Sequence, residues 1–155
     1  MKSPTSSSPY LVTPGEGPVY HAFGEESRFH LTGQQTGGRL TMWTAITPPN
    51  GGPPPHRHAR EDEWFVVRKG QFEFFLNGQW HAAPPGTTVY LPRGCVHTFR
   101  NSGDRDGELL ISTSPSGFET YFAECADVFN QPGPPDMEAI AAISDRHGIE
   151  FVQPA

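Results

Sequence analysis

The stretch that decides the fold is residues 51–63, Gly-Gly-Pro-Pro-Pro-His-Arg-His-Ala-Arg-Glu-Asp-Glu. It places His56 and His58 two residues apart and Glu63 five residues after the second histidine. Residues two apart in a β-strand point to the same face, so the two imidazoles can be directed at one point. The apolar run that begins at Glu63 predicts the next strand, with a carboxylate at its start.

A second stretch, residues 86–101, adds a fourth candidate ligand, His97. Three imidazoles and one carboxylate are a donor set that binds divalent metal ions. We therefore predict that His56, His58, Glu63 and His97 hold one metal ion.

The two stretches resemble the two sequence motifs of the cupin superfamily. The first motif runs Gly, five residues, His-x-His, three or four residues, Glu, six residues, Gly. Four positions here fit it, with the opening glycine one residue closer than the motif has it: His56, His58, Glu63 and Gly70. The second motif runs Gly, five residues, Pro-x-Gly, two residues, His, three residues, Asn, and five positions match its spacing: Gly86, Pro92, Gly94, His97 and Asn101. The proline-rich approach to His56 and the helical tail are most similar to small single-domain bacterial cupins of the quercetin-dioxygenase-like type.

This resemblance implies an all-β fold, a double-stranded β-helix or jelly-roll barrel, over residues 19–113. The composition agrees, because 17 glycines and 17 prolines indicate many turns between short strands. Asn77-Gly78 predicts a tight two-residue hairpin, since both residue types tolerate positive φ.

The two ends of the chain differ from this barrel. Residues 1–18 are rich in Pro, Gly and Ser and are predicted to form a flexible arm. Residues 114–155 are predicted to form two short helices that pack on the barrel. The first would begin with a capping box at Ser116 and Glu119, and the second would be capped by Asp136 and stopped by Gly148.

Strand alternation predicts which side chains share the barrel interior with the ligands. Phe65, Val67 and Phe99 have the inward parity of Glu63 and His97. The aromatic core is predicted from Trp43, Phe65, Phe74, Tyr90 and Phe99. Glu61 and Asp62 are interpreted as solvated loop charges, although Glu61 offers a second register for the carboxylate ligand.

Composition also limits the partners of the chain. A net charge of −6 argues against a nucleic-acid binder. No apolar run is long enough to span a membrane, the N-terminal residues lack a secretory pattern, and Cys95 and Cys125 are interpreted as free thiols, so we expect a cytoplasmic protein. Trp64 and Val66 point outward and would need a cover, which predicts a homodimer.

The resemblance and the ligand set together predict a metal-dependent dioxygenase with a small phenolic, flavonol or enediol substrate and O₂ as partners. One divalent ion per chain is expected, and Fe, Mn, Ni, Co and Zn all suit the donors. Glu63 is the predicted catalytic residue, accepting the substrate proton. A non-redox isomerase, epimerase or lyase and a non-catalytic small-molecule-binding protein are the alternatives.

Overall fold

The computed structural model describes residues 8–153, and residues 1–7 of the predicted arm and 154–155 of the predicted extension lie outside this range. The described residues contain the helices α1 (Gly33–Thr36), α2 (Phe118–Phe129) and α3 (Met137–Arg146). The strands of the first half of the chain are β1 (Val19–Ala22), β2 (Glu25–Leu31), β3 (Thr41–Thr47), β4 (His56–His58), β5 (Asp62–Lys69) and β6 (Phe72–Leu76). Those of the second half are β7 (Gln79–Ala83), β8 (Thr88–Leu91), β9 (Thr98–Asn101), β10 (Gly107–Ser114) and β11 (Ile149–Phe151).

The strands form a jelly roll of antiparallel sheets. The large sheet has the order β1-β2-β3-β10-β5-β8, and two smaller sheets have the orders β7-β6-β9 and β11-β4. Aromatic side chains join the large sheet to the three-stranded one: the ring centroids of Phe65 and Phe74 lie 5.1 Å apart, and those of Phe65 and Phe99 5.6 Å apart. The predicted all-β fold with two short C-terminal helices is confirmed.

Alternation along β5 places Glu63, Phe65 and Val67 inside, as predicted. The prediction was wrong for Tyr90, whose side chain is 61 % exposed. Tyr90 pairs with Trp64 across the β5–β8 ladder, and directly paired residues share a face of the sheet. Tyr90 therefore points outward, while its neighbours Val89 and Leu91 enter the core.

Glycine and asparagine residues stabilise the turns of the barrel. The Asn77-Gly78 hairpin is confirmed, with φ of 52° and 79°. Gly70 has φ of +86°, and a Cβ placed on it would lie 2.9 Å from the Gly107 Cα, so only glycine fits there. The buried Asn101 amide donates to the carbonyls of Thr47 (2.9 Å) and Arg105 (2.7 Å) and accepts from the Gly103 N–H (2.9 Å).

The C-terminal helices begin in two different ways. Asp136 caps α3 as predicted, because its side chain accepts from the Ala139 N–H at 3.1 Å. The predicted capping box on α2 was wrong. The helix begins one residue later than that box requires, with Gly117 as its N-cap, and Glu119 instead accepts from the Gly33 N–H at 2.8 Å.

Strand β11 follows α3 and was not predicted. It pairs with β4, so that Ile149 lies opposite His58 and Phe151 opposite His56. Residues 149–151 are thereby hydrogen-bonded to the strand that carries two of the predicted ligands.

Two further sequence expectations concern the cysteines and membrane-spanning segments. Both cysteines are free, with Cys125 buried and Cys95 half-buried. None of the described helices is both long and apolar enough to pass through a membrane.

We expect Asn101→Ala to lower the free energy of unfolding by about 2 to 4 kcal/mol, because it leaves buried backbone groups without their partner. Urea denaturation monitored by circular dichroism measures this change. Ser102→Ala, which removes a single hydrogen bond at the surface, is the matched control. Equal stabilities of the Asn101 and Ser102 variants would contradict this role for Asn101.

Candidate metal centre

The structure brings all four predicted ligands into one buried cluster. His56 and His58 lie on β4, Glu63 lies on β5, and His97 immediately precedes β9. Each offers one ligand atom, and these atoms all lie within 4.8 Å of one another. Two backbone hydrogen bonds fix the register: the His56 N–H donates to the His97 carbonyl at 3.0 Å, and the His97 N–H to the His56 carbonyl at 2.9 Å.

Backbone carbonyls orient two of the imidazole rings. His56 Nδ1 lies 2.8 Å from the Pro54 carbonyl oxygen, and His97 Nδ1 lies 3.1 Å from the Cys95 carbonyl oxygen. A carbonyl can only accept, so each Nδ1 carries a proton and Nε2 is the ring nitrogen left to bind a metal ion. This is the tautomer that metal-binding histidines use.

His58 is held differently, by ring stacking. Its imidazole lies parallel to the Phe118 ring, with centroids 5.1 Å apart and an interplanar angle of 8°. Within the described part of the chain, neither ring nitrogen has a hydrogen-bond partner, since Glu61 Oε2 is 3.6 Å from Nδ1 and Glu63 Oε1 is 3.8 Å from Nε2. A buried polar atom without a partner is costly, and a metal ion on Nε2 would remove that cost.

The burial of Glu61 differs from the sequence expectation. Its side chain is buried beside His58 and is not a solvated loop charge, because the turn between β4 and β5 folds it back toward the ring. Asp62 points the other way, where its carboxylate accepts from the Arg93 backbone N–H at 2.9 Å. Glu61 thus lies in the position of an outer partner to His58, and Glu63 is the carboxylate in the cluster.

Burial and mutual charge set the protonation states of the metal-free cluster. Burial, with smaller effects from His97 and His58, lowers the pKa of His56 to about 3. Burial also lowers the pKa of His58, but Glu63 and Glu61 together outweigh it and leave this pKa raised. For Glu63, burial raises the pKa, yet His58, His97 and His56 outweigh burial and hold the pKa below its usual value. The cluster therefore contains a carboxylate and at least one neutral imidazole at neutral pH.

The cluster borders a small, apolar cavity of about 50 Å³, which has room for only a few water molecules. His56 and Glu63 contribute the cluster side of its wall. Four aromatic residues of the C-terminal segment line it together with barrel residues such as Phe65 and Phe99: Phe118, Tyr121, Phe122 and Phe151. Cys95 shares the strand parity of His97, but it is not a member of the cluster, and burial, followed by the Glu63 charge, raises the pKa of its thiol.

Glu25 is a further polar residue of this cavity that the sequence analysis missed. It is 7 % exposed, lines the cavity from β2, and accepts a hydrogen bond from the Thr47 hydroxyl at 2.6 Å. Burial raises the pKa of Glu25 to about 7, the Thr47 bond lowers it, and the Glu63 charge raises it further. The residues Gly24-Glu25-Glu26 are typical of a turn. The alternation of Glu25, Ser27 and Phe29 is typical of a strand, and it could have revealed that Glu25 faces inward.

Comparison with known proteins agrees with the fold. Residues 43–113 match the family model described as a cupin domain. These residues are thus similar to a cupin domain. The solved structure of KdgF from Halomonas sp. has the same fold, with a TM-score of 0.64 and 18 % identity, covering 73 % of this chain and 99 % of that one.

Two curated relatives show more limited similarity. An uncharacterized protein of Aquifex aeolicus (strain VF5) is 39 % identical over 62 residues, which cover 40 % of this chain and 50 % of the relative. Quercetin 2,3-dioxygenase of Bacillus subtilis (strain 168) is 23 % identical over 126 residues, covering 81 % of this chain and 37 % of the enzyme. The chain thus spans about half or less of the length of these relatives.

We expect Glu25→Gln to stabilise the metal-free protein much more at pH 8 than at pH 5. The folded state keeps the Glu25 proton up to about pH 7, whereas an unfolded chain releases it near its ordinary pKa of 4.5. Raising the pH through this window therefore favours unfolding of the wild type, by up to about 3 kcal/mol, and glutamine removes the effect.

Urea denaturation at the two pH values, after removal of metal by a chelator, measures the difference. Glu26→Gln is the matched control, because Glu26 is the exposed neighbour on the same strand. A stability gain of the same size at both pH values would contradict a buried, protonated Glu25.

Proposed function

We propose that this protein is a metal-dependent dioxygenase that acts on a small phenolic, flavonol or enediol substrate. The observation that carries the proposal is the convergence of three imidazoles and one carboxylate beside an apolar cavity with aromatic walls. Such a cavity excludes competing water and strengthens electrostatic interactions with a bound substrate. The similarity to a part of quercetin 2,3-dioxygenase supports the choice of substrate class.

The donor set fits one divalent ion bound by His56, His58, Glu63 and His97. Nitrogen and carboxylate donors without cysteine suit Fe, Mn, Co, Ni or Zn. The unpartnered nitrogens of His58 and the carbonyl-held Nδ1 atoms of His56 and His97 are what a metal site requires of its ligands. When bound, a redox-active ion supplies a Lewis acid and an electron-transfer centre at the cavity wall.

Glu63 is the residue proposed to handle the substrate proton. Its carboxylate lines the cavity and lies 3.2 Å from His97 Nε2, so one oxygen atom can hold its place in the cluster while the other accepts a proton from a substrate hydroxyl. His56, His58 and His97 keep their positions throughout, because backbone carbonyls and the Phe118 ring fix them.

The size of the cavity constrains the substrate. A volume of about 50 Å³ cannot enclose a flavonol while the aromatic side chains of the C-terminal segment stay in place. A catechol-sized or enediol substrate needs the smallest movement of Phe118, Phe122 and Phe151, and a flavonol needs these rings to swing aside.

A second candidate is a non-redox reaction, an isomerisation or epimerisation with the metal as Lewis acid. Glu25 is the observation that favours it, because a second carboxylic acid in the same cavity can return a proton that Glu63 removes. Two carboxyl groups with pKa values moved in opposite directions suit general acid and general base roles.

The homodimer and the cytoplasmic location remain predictions. Trp64 and Val66 on the outer face of β5 are half-buried, and Tyr90 beside them is exposed. This face could be covered by a second copy, and size-exclusion chromatography with light scattering measures whether it is.

Oxygen uptake tests the oxygenase directly. Protein loaded separately with Fe(II), Mn(II), Co(II), Ni(II) or Zn(II) is assayed with catechols, enediols and flavonols. We expect substrate-dependent uptake with at least one redox-active metal, and none with zinc or in Glu63→Ala. Isomerised substrate without oxygen uptake would replace the oxygenase with the second candidate, and neither reaction in fully loaded protein would leave a ligand-binding protein.

We expect His58→Ala and Glu63→Ala to lower metal affinity at least about tenfold, because each removes one ligand from the cluster. Metal content after dialysis, measured by mass spectrometry, checks this, with circular dichroism to confirm the fold. His81→Ala and Glu26→Ala change exposed residues of the same types and should leave metal content unchanged. Full metal content in both cluster variants would refute the assignment of the site.

A further inference from the structure

The inner wall of the barrel formed by β2 and β3 carries polar atoms that no residue of the described chain satisfies. Ser27 is 1 % exposed, and its hydroxyl has no hydrogen-bond partner among residues 8–153. The indole Nε1 of Trp43, equally buried, also has none. Both residues line the cavity that the metal cluster borders.

The strand register explains why these atoms are left without partners. Ser27 pairs with Ala45, whose side chain has no polar atom. Trp43 pairs with Phe29 on β2 and with Ile111 on β10, and neither side chain has a polar atom. Buried hydroxyl and indole N–H groups nearly always have a partner, and a pair without one in the same cavity wall indicates that the partner comes from a bound molecule.

Glu25 extends this polar wall by one more position. It lies two residues from Ser27 on the same face of β2 and is held by the Thr47 hydroxyl through Oε2. Its carboxyl group faces the same cavity as Glu63, so the cavity has polar groups on two walls and aromatic rings between them.

We propose that Glu25, Ser27 and Trp43 form a second binding subsite, which takes a hydroxyl or carbonyl oxygen of the substrate remote from the oxygen atoms at the metal cluster. The ligand class is therefore a planar ring compound with oxygen substituents at both ends. Ser27 and Trp43 donate hydrogen bonds to the remote oxygen, and Glu25 exchanges a hydrogen bond with its hydroxyl. The inference rests on the proposed function, because the same cavity has to hold the substrate.

Matched pairs of probes isolate the remote oxygen. The shorter pair is 4-methylcatechol and 3,4-dihydroxybenzyl alcohol, and the longer pair is 3-hydroxyflavone and 3,4′-dihydroxyflavone. Both members of each pair carry the same metal-binding oxygens, and only the second member has hydroxyl groups beyond them. Binding is measured by calorimetry on zinc-loaded protein without oxygen, so that turnover cannot interfere.

The variants are Ser27→Ala and Glu25→Leu, with Glu26→Leu as the exposed control on the same strand. We expect the wild type to bind the hydroxylated member at least about threefold more tightly in one pair, as one added hydrogen bond allows. This preference should fall to about one in Ser27→Ala and Glu25→Leu and persist in Glu26→Leu, with metal content constant. Ser27→Ala removes only an unpartnered hydroxyl, so it keeps the test valid if Glu25→Leu fails to fold.

Three results would overturn the subsite. The first is a wild type without preference in either pair, which includes absence of binding. The second is an equal loss of affinity for both members in the variants, which is the mark of a general structural role. The third is a preference that the variants leave unchanged. Oxygen uptake by the wild type is recorded in parallel: a wild type with normal uptake but no preference rejects only the subsite, and a wild type with the preference but no uptake rejects only the oxygenase.

Discussion

The burial of four ionisable ligands in an apolar barrel is the constraint on which the rest of the structure depends. Buried imidazoles and carboxylates cost free energy unless each polar atom is satisfied. The fold satisfies the Nδ1 atoms of His56 and His97 with backbone carbonyls and pairs His97 with Glu63. The nitrogens of His58 have no partner among the described residues, and a metal ion bound to Nε2 would remove the cost of burying that atom unpaired.

The C-terminal segment completes this arrangement from outside the two motifs. Phe118 stacks on His58 on one side and on Trp43 on the other, and Trp43 in turn stacks on Phe29. A continuous row of rings thus connects the large sheet, helix α2 and a predicted ligand. Strand β11 adds backbone hydrogen bonds to the strand of His56 and His58. The C-terminal segment therefore lines the cavity and is hydrogen-bonded to the strand that carries two of the predicted ligands.

Two carboxyl groups of the same cavity illustrate how surroundings decide chemistry. Glu63 lies among imidazoles, which outweigh its burial and lower its pKa, whereas Glu25 has a single hydroxyl partner and burial raises its pKa to about 7. Glu63 therefore carries a negative charge at neutral pH, and Glu25 in the same cavity titrates near neutrality. This contrast is compatible with either proposed reaction class and gives Glu25 a place in substrate binding under both.

The sequence by itself determined the barrel, the turn at Asn77-Gly78 and the four members of the cluster. It could do so because strand parity and turn chemistry are local properties, and because the two motifs resemble those of the cupin superfamily, which implies the barrel. Only the tertiary structure decided the positions of Glu25 and Glu61, the outward direction of Tyr90 and the role of Phe118. These depend on strand register and on contacts between residues far apart in the chain, such as β11 with β4, and no local pattern encodes which distant surfaces meet.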